Sequence, residues 1–219
     1  MRSLGIDVGV RKGHDVVVLE DDLTVSHTAA RVATEDVEHL IREGQPDIVA
    51  IDSPPAWSAG GKSREVERAL RRLGIKAFPT PNADTGPANT FFDWMQVGFK
   101  LFETAERAGY VPYRSGDPRH TAIEVFPHAS AAVLSGGLLP SGIRKGTWRR
   151  SVLERQGVGE LGFRSVDQID AALAALTGLR ALQGSFVAVG DPDEGVIVLP
   201  VTDLQDRYLQ LESAAASPG

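Results

Sequence analysis

The stretch Ser3-Leu4-Gly5-Ile6-Asp7-Val8-Gly9-Val10 decides how this chain is read. Its apolar run has the length of a short buried strand. Asp7 interrupts the run between Ile6 and Val8. A carboxylate in an apolar interior is costly unless it is paired or bound to a metal. Onward along the chain, the first cations are Arg11 and Lys12, beyond the bend that Gly9 permits. Asp7 is therefore either the cap of the turn after the strand or a metal-binding carboxylate on a central strand. The second reading needs partners elsewhere in the sequence.

Working outward, residues 15–20 (DVVVLE) and 23–32 read as two more strands, turned at Asp21-Asp22. Thr34 reads as an N-cap, and Val37, Leu40 and Ile41 as the apolar face of a helix stopped by Gly44-Gln45-Pro46. Residues 47–51 (DIVAI) form a short buried strand ending in Asp52. A helix is expected over 63–73 and a short strand over 74–78. The longest helix is expected over 90–108. A strand is expected over 121–126 with Glu124 inside it, and helices over 127–134 and 147–156. Ser165 and Gln168 fit a capping box opening a helix to about residue 182. Residues 186–189 and 196–201 read as a closing hairpin. Hairpin strands followed by β-α-β units imply an α/β fold, a mixed sheet flanked by helices. No internal repeat is seen. One domain over 1–211 is expected, with 212–219 as a disordered tail.

Composition narrows the function classes. The 219 residues contain no cysteine, which excludes disulfides, thiolate nucleophiles and cysteine-ligated zinc. No apolar run is long enough to span a membrane, and the N-terminus reads as a strand rather than a signal peptide. A cytoplasmic location is the default expectation. A net charge of −6 argues against a nucleic-acid coat protein, but not against an enzyme with a local basic groove. The sequence leaves a homodimer open.

Four acids stand beside apolar runs on separate elements: Asp7, Asp52, Glu124 and Asp170, with Asp167 three residues before the last. Asp167, Asp170, Ala171 and Ala174 share one helix face, and the alanines would let that face lie close to a sheet. Several carboxylate oxygens suit Mg²⁺ or Mn²⁺ rather than zinc. A pair of such ions can activate water and stabilise the leaving oxygen of a phosphodiester. Each acid also has a plainer reading. Asp52 would begin a turn into Ser53-Pro54-Pro55, Glu124 would face solvent, and Asp167 and Asp170 would favour a helix N-terminus.

The segments GIDVG (5–9), IDSPPAWS (51–58), GIKAFPTP (74–81), EVFPHAS (124–130), DAALAALTG (170–178) and EGVIVLP (194–200) resemble domain-of-unknown-function family 429. The resemblance runs over nearly the whole chain. It implies a predicted nuclease with an RNase H-like fold. The wider superfamily carries acids on the first strand, the fourth strand and a late helix, which match Asp7, Asp52 and Asp170 here. Glu124 and Asp167 become additional ligand candidates. Asp7, Asp52, Asp170 and Glu124 are thus expected in a metal-dependent nuclease site acting on DNA or RNA.

Basic residues supply candidate substrate contacts. Arg64, Arg68 and Arg72 recur every fourth residue, and Lys145 and Arg149 flank Trp148. Such clusters hold phosphates while an aromatic ring stacks on a base; the plainer reading is two solvated helix faces. AWSAGGKS (56–63) fits a loose phosphate-loop pattern, but two prolines precede it where backbone donors are needed. A nucleotide-binding phosphotransferase and a non-catalytic binding module are therefore the rival readings. An actin-like kinase would need two such domains. Asp191–Gly195 lacks EF-hand spacing and reads as a turn. His128, near Glu124, is either a proton shuttle or structural.

Overall fold

A computed structural model describes residues 1–159 and 162–212. The expected tail therefore lies almost wholly outside the described residues. The chain opens with an antiparallel meander, β1 (Arg2–Asp7), β2 (His14–Glu20) and β3 (Val25–Val32), followed by α1 (Thr34–Gly44) and β4 (Ile48–Ile51). Then come α2 (Glu65–Arg72), α3 (Asp93–Arg107), β5 (Val111–Pro112), β6 (Thr121–Val125), α4 (Pro127–Ser135) and α5 (Lys145–Arg155). The last elements are α6 (Val166–Leu182), β7 (Val187–Asp191) and β8 (Gly195–Leu199). Among the described residues the strands form one sheet in the order β3-β2-β1-β4-β6-β8-β7, with β5 beside β6. β1, β4, β6 and β8 run parallel, and the flanking pairs are antiparallel. This is the expected α/β fold: a mixed sheet with helices on both faces.

Strand alternation assigns the faces. Leu4, Ile6, Val49, Ile51 and Ala122 pack with Val37 and Ile41 of α1 and Leu101, Phe102 and Ala105 of α3. Ile48, Ala50, Ile123 and Val125 pack on the other side with Ala174 and Ala181 of α6. Nearly every side chain from Ile169 to Leu179 is buried. So α6 is a core helix, apolar all round, unlike the amphipathic α1. α6 lies so close to β1 that Gly5 has no room for a side chain. A Cβ there would stand 2.1 Å from the Ala171 carbonyl oxygen and 2.3 Å from the Ala175 nitrogen. A Cβ on Gly178 would stand 2.2 Å from Ser3 Oγ. Gly178 thus covers Ser3 while Ala171 and Ala175 cover Gly5, and α6 runs opposite in sense to β1.

The first turn of α2 is built on a buried charge. Arg64, 1% exposed, donates Nη1 and Nη2 to the two carboxylate oxygens of Glu124, at 2.8 and 2.6 Å, and Nε to Glu67 at 2.8 Å. Glu67 also accepts from the Arg64 amide at 2.6 Å and from Thr80 Oγ1 at 2.6 Å. Burial works against the charge on Arg64, but the carboxylates outweigh it and hold its pKa above the usual arginine value. Arg64 thus turns inward from the α2 stripe, and both oxygens of Glu124 accept from it, so the sequence picture of a solvated arginine and an uncommitted carboxylate does not hold for this pair. Ile123 and Val125 face α6 while Glu124 does not, yet Glu124 and Arg64 line one cleft together with Asp7 and Asp52.

Other boundaries moved for local reasons. Asn89 accepts a hydrogen bond from the Phe91 amide and starts a tight 3-10 turn, so α3 begins at Asp93 and, at 15 residues, is shorter than the 17-residue α6. The expected strand over 74–78 is absent; the Ile75 amide instead caps α2 through the Leu70 carbonyl. Ser165 caps α6 by accepting from the Gln168 amide, but the Gln168 side chain accepts from Arg164, one residue outside the box. No helix among the described residues is long and apolar enough to cross a membrane.

Two stability outcomes follow from this packing. Gly5→Ala pushes a methyl into helix backbone and is expected to cost about 3 kcal/mol. Gly60→Ala, with nothing within 4 Å of its Cβ, stays near wild type. Thermal melts of both test this, and a Gly5→Ala curve superposing on wild type would contradict the close α6 contact. Arg64→Ala leaves Glu124 and Glu67 buried without a counter-charge and is expected to cost about 3–5 kcal/mol. Exposed Arg68→Ala should change stability by no more than about 0.5 kcal/mol. Urea denaturation measures the difference, and equal midpoints would refute the inward-turned role of Arg64.

Candidate active site

The site forms where β1 and β4 end together. The two strands pair in parallel with Ile6 opposite Ile51, and the Asp52 amide donates to the Ile6 carbonyl at 3.0 Å. Asp7 follows Ile6 and Asp52 follows Ile51, so the two acids leave neighbouring strands at the same level. Asp7 has the parity of Gly5, which lies under α6. Because α6 runs back along β1, its first turn overhangs this end of the sheet and brings Asp167 and Asp170 to it. Asp15 joins from β2, where it pairs in register with Asp7.

Crowding shows in the ionisation of these groups. The Asp7 carboxyl is pushed up to about 9 by burial, then by the charges of Asp52, Asp170, Asp167 and Asp15. Asp52 is pushed up to about 8 by burial and then Asp170, against the opposing pull of Arg149 and Lys145. Burial and then Asp167 also raise Asp15. Like charges brought together in a low-dielectric site cannot all ionise without a compensating cation. Among the described residues, neither Asp7 nor Asp52 has a salt-bridge partner.

Asp170 is different. Arg149 Nη1 donates to its Oδ1, and Lys145 Nζ stands 3.3 Å from its Oδ2. Among the described residues, no group of three or more His, Asp or Glu side chains is gathered closely enough to hold a metal ion. In chemistry the donors fit a hard divalent cation, since every one is a carboxylate oxygen and two are unpaired. In arrangement, Asp7 and Asp52 are available, and Asp170 is held by the chain's own cations.

The remaining expected residues divide by position. A cleft of about 240 Å³ brings together Asp7, Asp52, Glu124, Asp170, Arg64, Lys145 and Arg149. Asp167, exposed, lines a neighbouring cleft that also touches Asp7. Lys145 has half its side chain in solvent. Arg149 is 3% exposed, lines the cleft and donates to Asp170, and its Nε lacks a partner among the described residues. Trp148 is 3% exposed, edge-on to His128 at 5.7 Å between ring centroids, and belongs to the core rather than to the cleft wall. Arg68 is exposed on α2, outside the cleft, and bonds Glu65 at 2.9 Å. Burial, then Arg149 and Lys145, lower His128 to about 4, so it is a neutral ring at neutral pH. The AWSAGGKS loop leads to a helix start already served by carboxylates: Glu194 accepts from the Glu65 amide at 2.7 Å.

Sequence reasoning missed three residues of this region. Asp15 was legible, because a hairpin from β1 to β2 sets it opposite Asp7. Phe78 and Trp94 line the cleft from coil and helix far along the chain, and nothing in their local sequence marks them.

Among curated proteins no match is found. Among solved structures, the chain is similar to the Thermus thermophilus RuvC structure, with 15% identity over 84% of this chain and 95% of that chain, at a TM-score of 0.46. The family model described as "Protein of unknown function (DUF429)" matches residues 5–194, a span that takes in Asp7, Asp52 and Asp170. This chain belongs to the DUF429 family.

Proposed function

We propose that this protein is a metal-dependent nuclease that hydrolyses phosphodiester bonds of nucleic acid. The observation that carries the reading is the pair Asp7 and Asp52: adjacent, part-buried, unpaired, and pushed up to about 9 and about 8. A stable fold keeps such a pair at the mouth of a cleft where a cation relieves the repulsion. Asp7 and Asp52 would hold Mg²⁺ or Mn²⁺, with Asp170 and Asp167 as further oxygen donors. When bound, such a metal lowers the pKa of water and neutralises charge building on the leaving oxygen. The chain's own part is orientation and charge. Arg149 fixes Asp170 from below, while half-exposed Lys145 offers an ammonium to a phosphate oxygen at the cleft rim. Neutral His128 supplies no proton at neutral pH.

A second reading, a nucleic-acid binding module without catalysis, has one observation in its favour. Asp170 already carries two cations, and among the described residues no three carboxylates converge closely enough to hold a metal ion.

Melting curves separate these readings from a purely structural role. Metal at about a hundred times its dissociation constant adds about 2.7 kcal/mol, or roughly 5–10 °C for a chain of this size. Mn²⁺ should raise the wild-type midpoint by that amount and leave Asp7→Asn nearly unmoved; an equal response in both removes Asp7 from the metal set. With Mn²⁺ and labelled DNA or RNA, Asp7→Asn and Asp52→Asn should reduce cleavage to background. Binding without any wild-type cleavage would favour the non-catalytic module.

The pH dependence has a defined sign. Asp7 and Asp52 keep their protons in the folded protein up to about 9 and about 8, while the unfolded chain gives them up near the ordinary aspartate value. Between those limits the folded state binds more protons, so stability falls as pH rises. In chelator, urea midpoints should decline from pH 5 to pH 9, and Asp7→Asn should flatten the decline. A wild-type midpoint that rises across this range would contradict the crowding of these acids.

A further inference from the structure

Asp7 lines two clefts that differ sharply in character. The first, described above, is also walled by Phe78, Trp94 and Phe126. Phe78 is 61% exposed and meets Phe91, itself 52% exposed, edge-on at 5.3 Å between ring centroids. Large aromatic rings left in water beside a polar cleft mark a binding surface more often than an accident of packing. The second cleft, of about 810 Å³, carries Arg11, Lys12, Arg31 and Arg164. All four are exposed, and none makes a salt bridge among the described residues. The acids in that cleft other than Asp167, namely Asp7 and Asp15, are half-buried. On a chain of net charge −6, four exposed cations, of which Arg31 acts on Asp15, against three acids in one cleft make a local reversal of sign suited to an anion.

We infer that the two clefts form one path for a single nucleic-acid strand, with an unpaired base against Phe78 and Trp94 and the adjoining phosphates along Arg11, Lys12, Arg31 and Arg164. The inference rests on the nucleic-acid reading above and narrows its substrate to unpaired strands. Stacking is the reason. A side-chain ring needs an open base face, and in a duplex both faces are covered by neighbouring pairs. Cations alone would accept a duplex equally well; the aromatic cleft does not. Asp7, common to both clefts, would then face the backbone between the stacked base and the held phosphates. The strand explains both an apolar wall and a basic wall around one acid, which neither a free phosphate nor an apolar ligand does.

Fluorescence anisotropy in chelator tests this without requiring cleavage. The probes are a labelled oligodeoxythymidine of about 12 nucleotides and a mixed-sequence duplex of the same length. The single strand should bind at least about tenfold more tightly. Phe78→Ala should weaken single-strand binding roughly five- to a hundredfold with an unchanged melting temperature, and Phe78→Tyr should restore it. The Arg11→Ala/Lys12→Ala double variant should lower the slope of log affinity against log salt by about 1.4. Duplex binding as tight as single-strand binding, or unaltered affinity in Phe78→Ala, overturns the inference. An unchanged salt slope removes the basic cleft from the path. Tight single-strand binding with no cleavage in Mn²⁺ overturns the nuclease reading alone. No binding of either probe overturns both.

Discussion

The packing of α6 on β1 governs the rest of the molecule. Helix backbone touches strand backbone at Gly5, with the Ala171 carbonyl and Ala175 nitrogen where a side chain would otherwise be. Close approach of this kind leaves no slack along the helix axis. With Gly178 seated over Ser3, the register of α6 is fixed, and so is the place of its first turn. Asp167 and Asp170 therefore come to the end of β1 as a consequence of core packing. The site inherits its geometry from two glycines and a run of alanines that carry no chemistry themselves.

Two kinds of buried charge sit at this end of the sheet, and they behave oppositely. Arg64 is surrounded by Glu67 and Glu124, each with its hydrogen bonds satisfied. A buried ion group of that kind fixes geometry; it holds α2 against β6. Among the described residues Asp7 and Asp52 have no such partner, and burial, then the neighbouring carboxylates, drive their protons on. Uncompensated charge costs stability, which is the usual mark of a site kept for binding or chemistry. Asp170 stands between the two cases. Its pairing with Arg149 and Lys145 neutralises one acid of the cluster within the protein itself.

The contrast between the two clefts gives the site a direction. Aromatic side chains come from the segment around Phe78 and from α3, the cations from the β1–β2 turn, β3 and the approach to α6. These elements are far apart in sequence and meet only at Asp7. Net charge alone would have hidden the basic cleft, because acidic residues elsewhere on the surface outnumber it.

The sequence determined a first strand within residues 3–10, the bend at Gly9, the meander, the short buried β4 and the long last helix that Ser165 caps. Periodicity and capping are local, so local reading recovers them. It also singled out Asp7, Asp52 and Asp170, because an acid that ends or interrupts an apolar run stands out against its neighbours. Tertiary structure alone decided what each charge meets. Arg64 looked like the first of an exposed arginine stripe, yet it is the residue before α2, where the backbone is not yet helical and the side chain turns inward. Glu124 looked like Asp7 and lines the same cleft, but both its oxygens accept from Arg64. Trp148 and Arg149 looked like a basic aromatic patch and were buried by α6. Phe78 and Trp94 carried no local signal at all. A side chain's direction follows from which face its element buries, and that is fixed by neighbours distant in the chain; the residue types alone carry the chemistry but not the address.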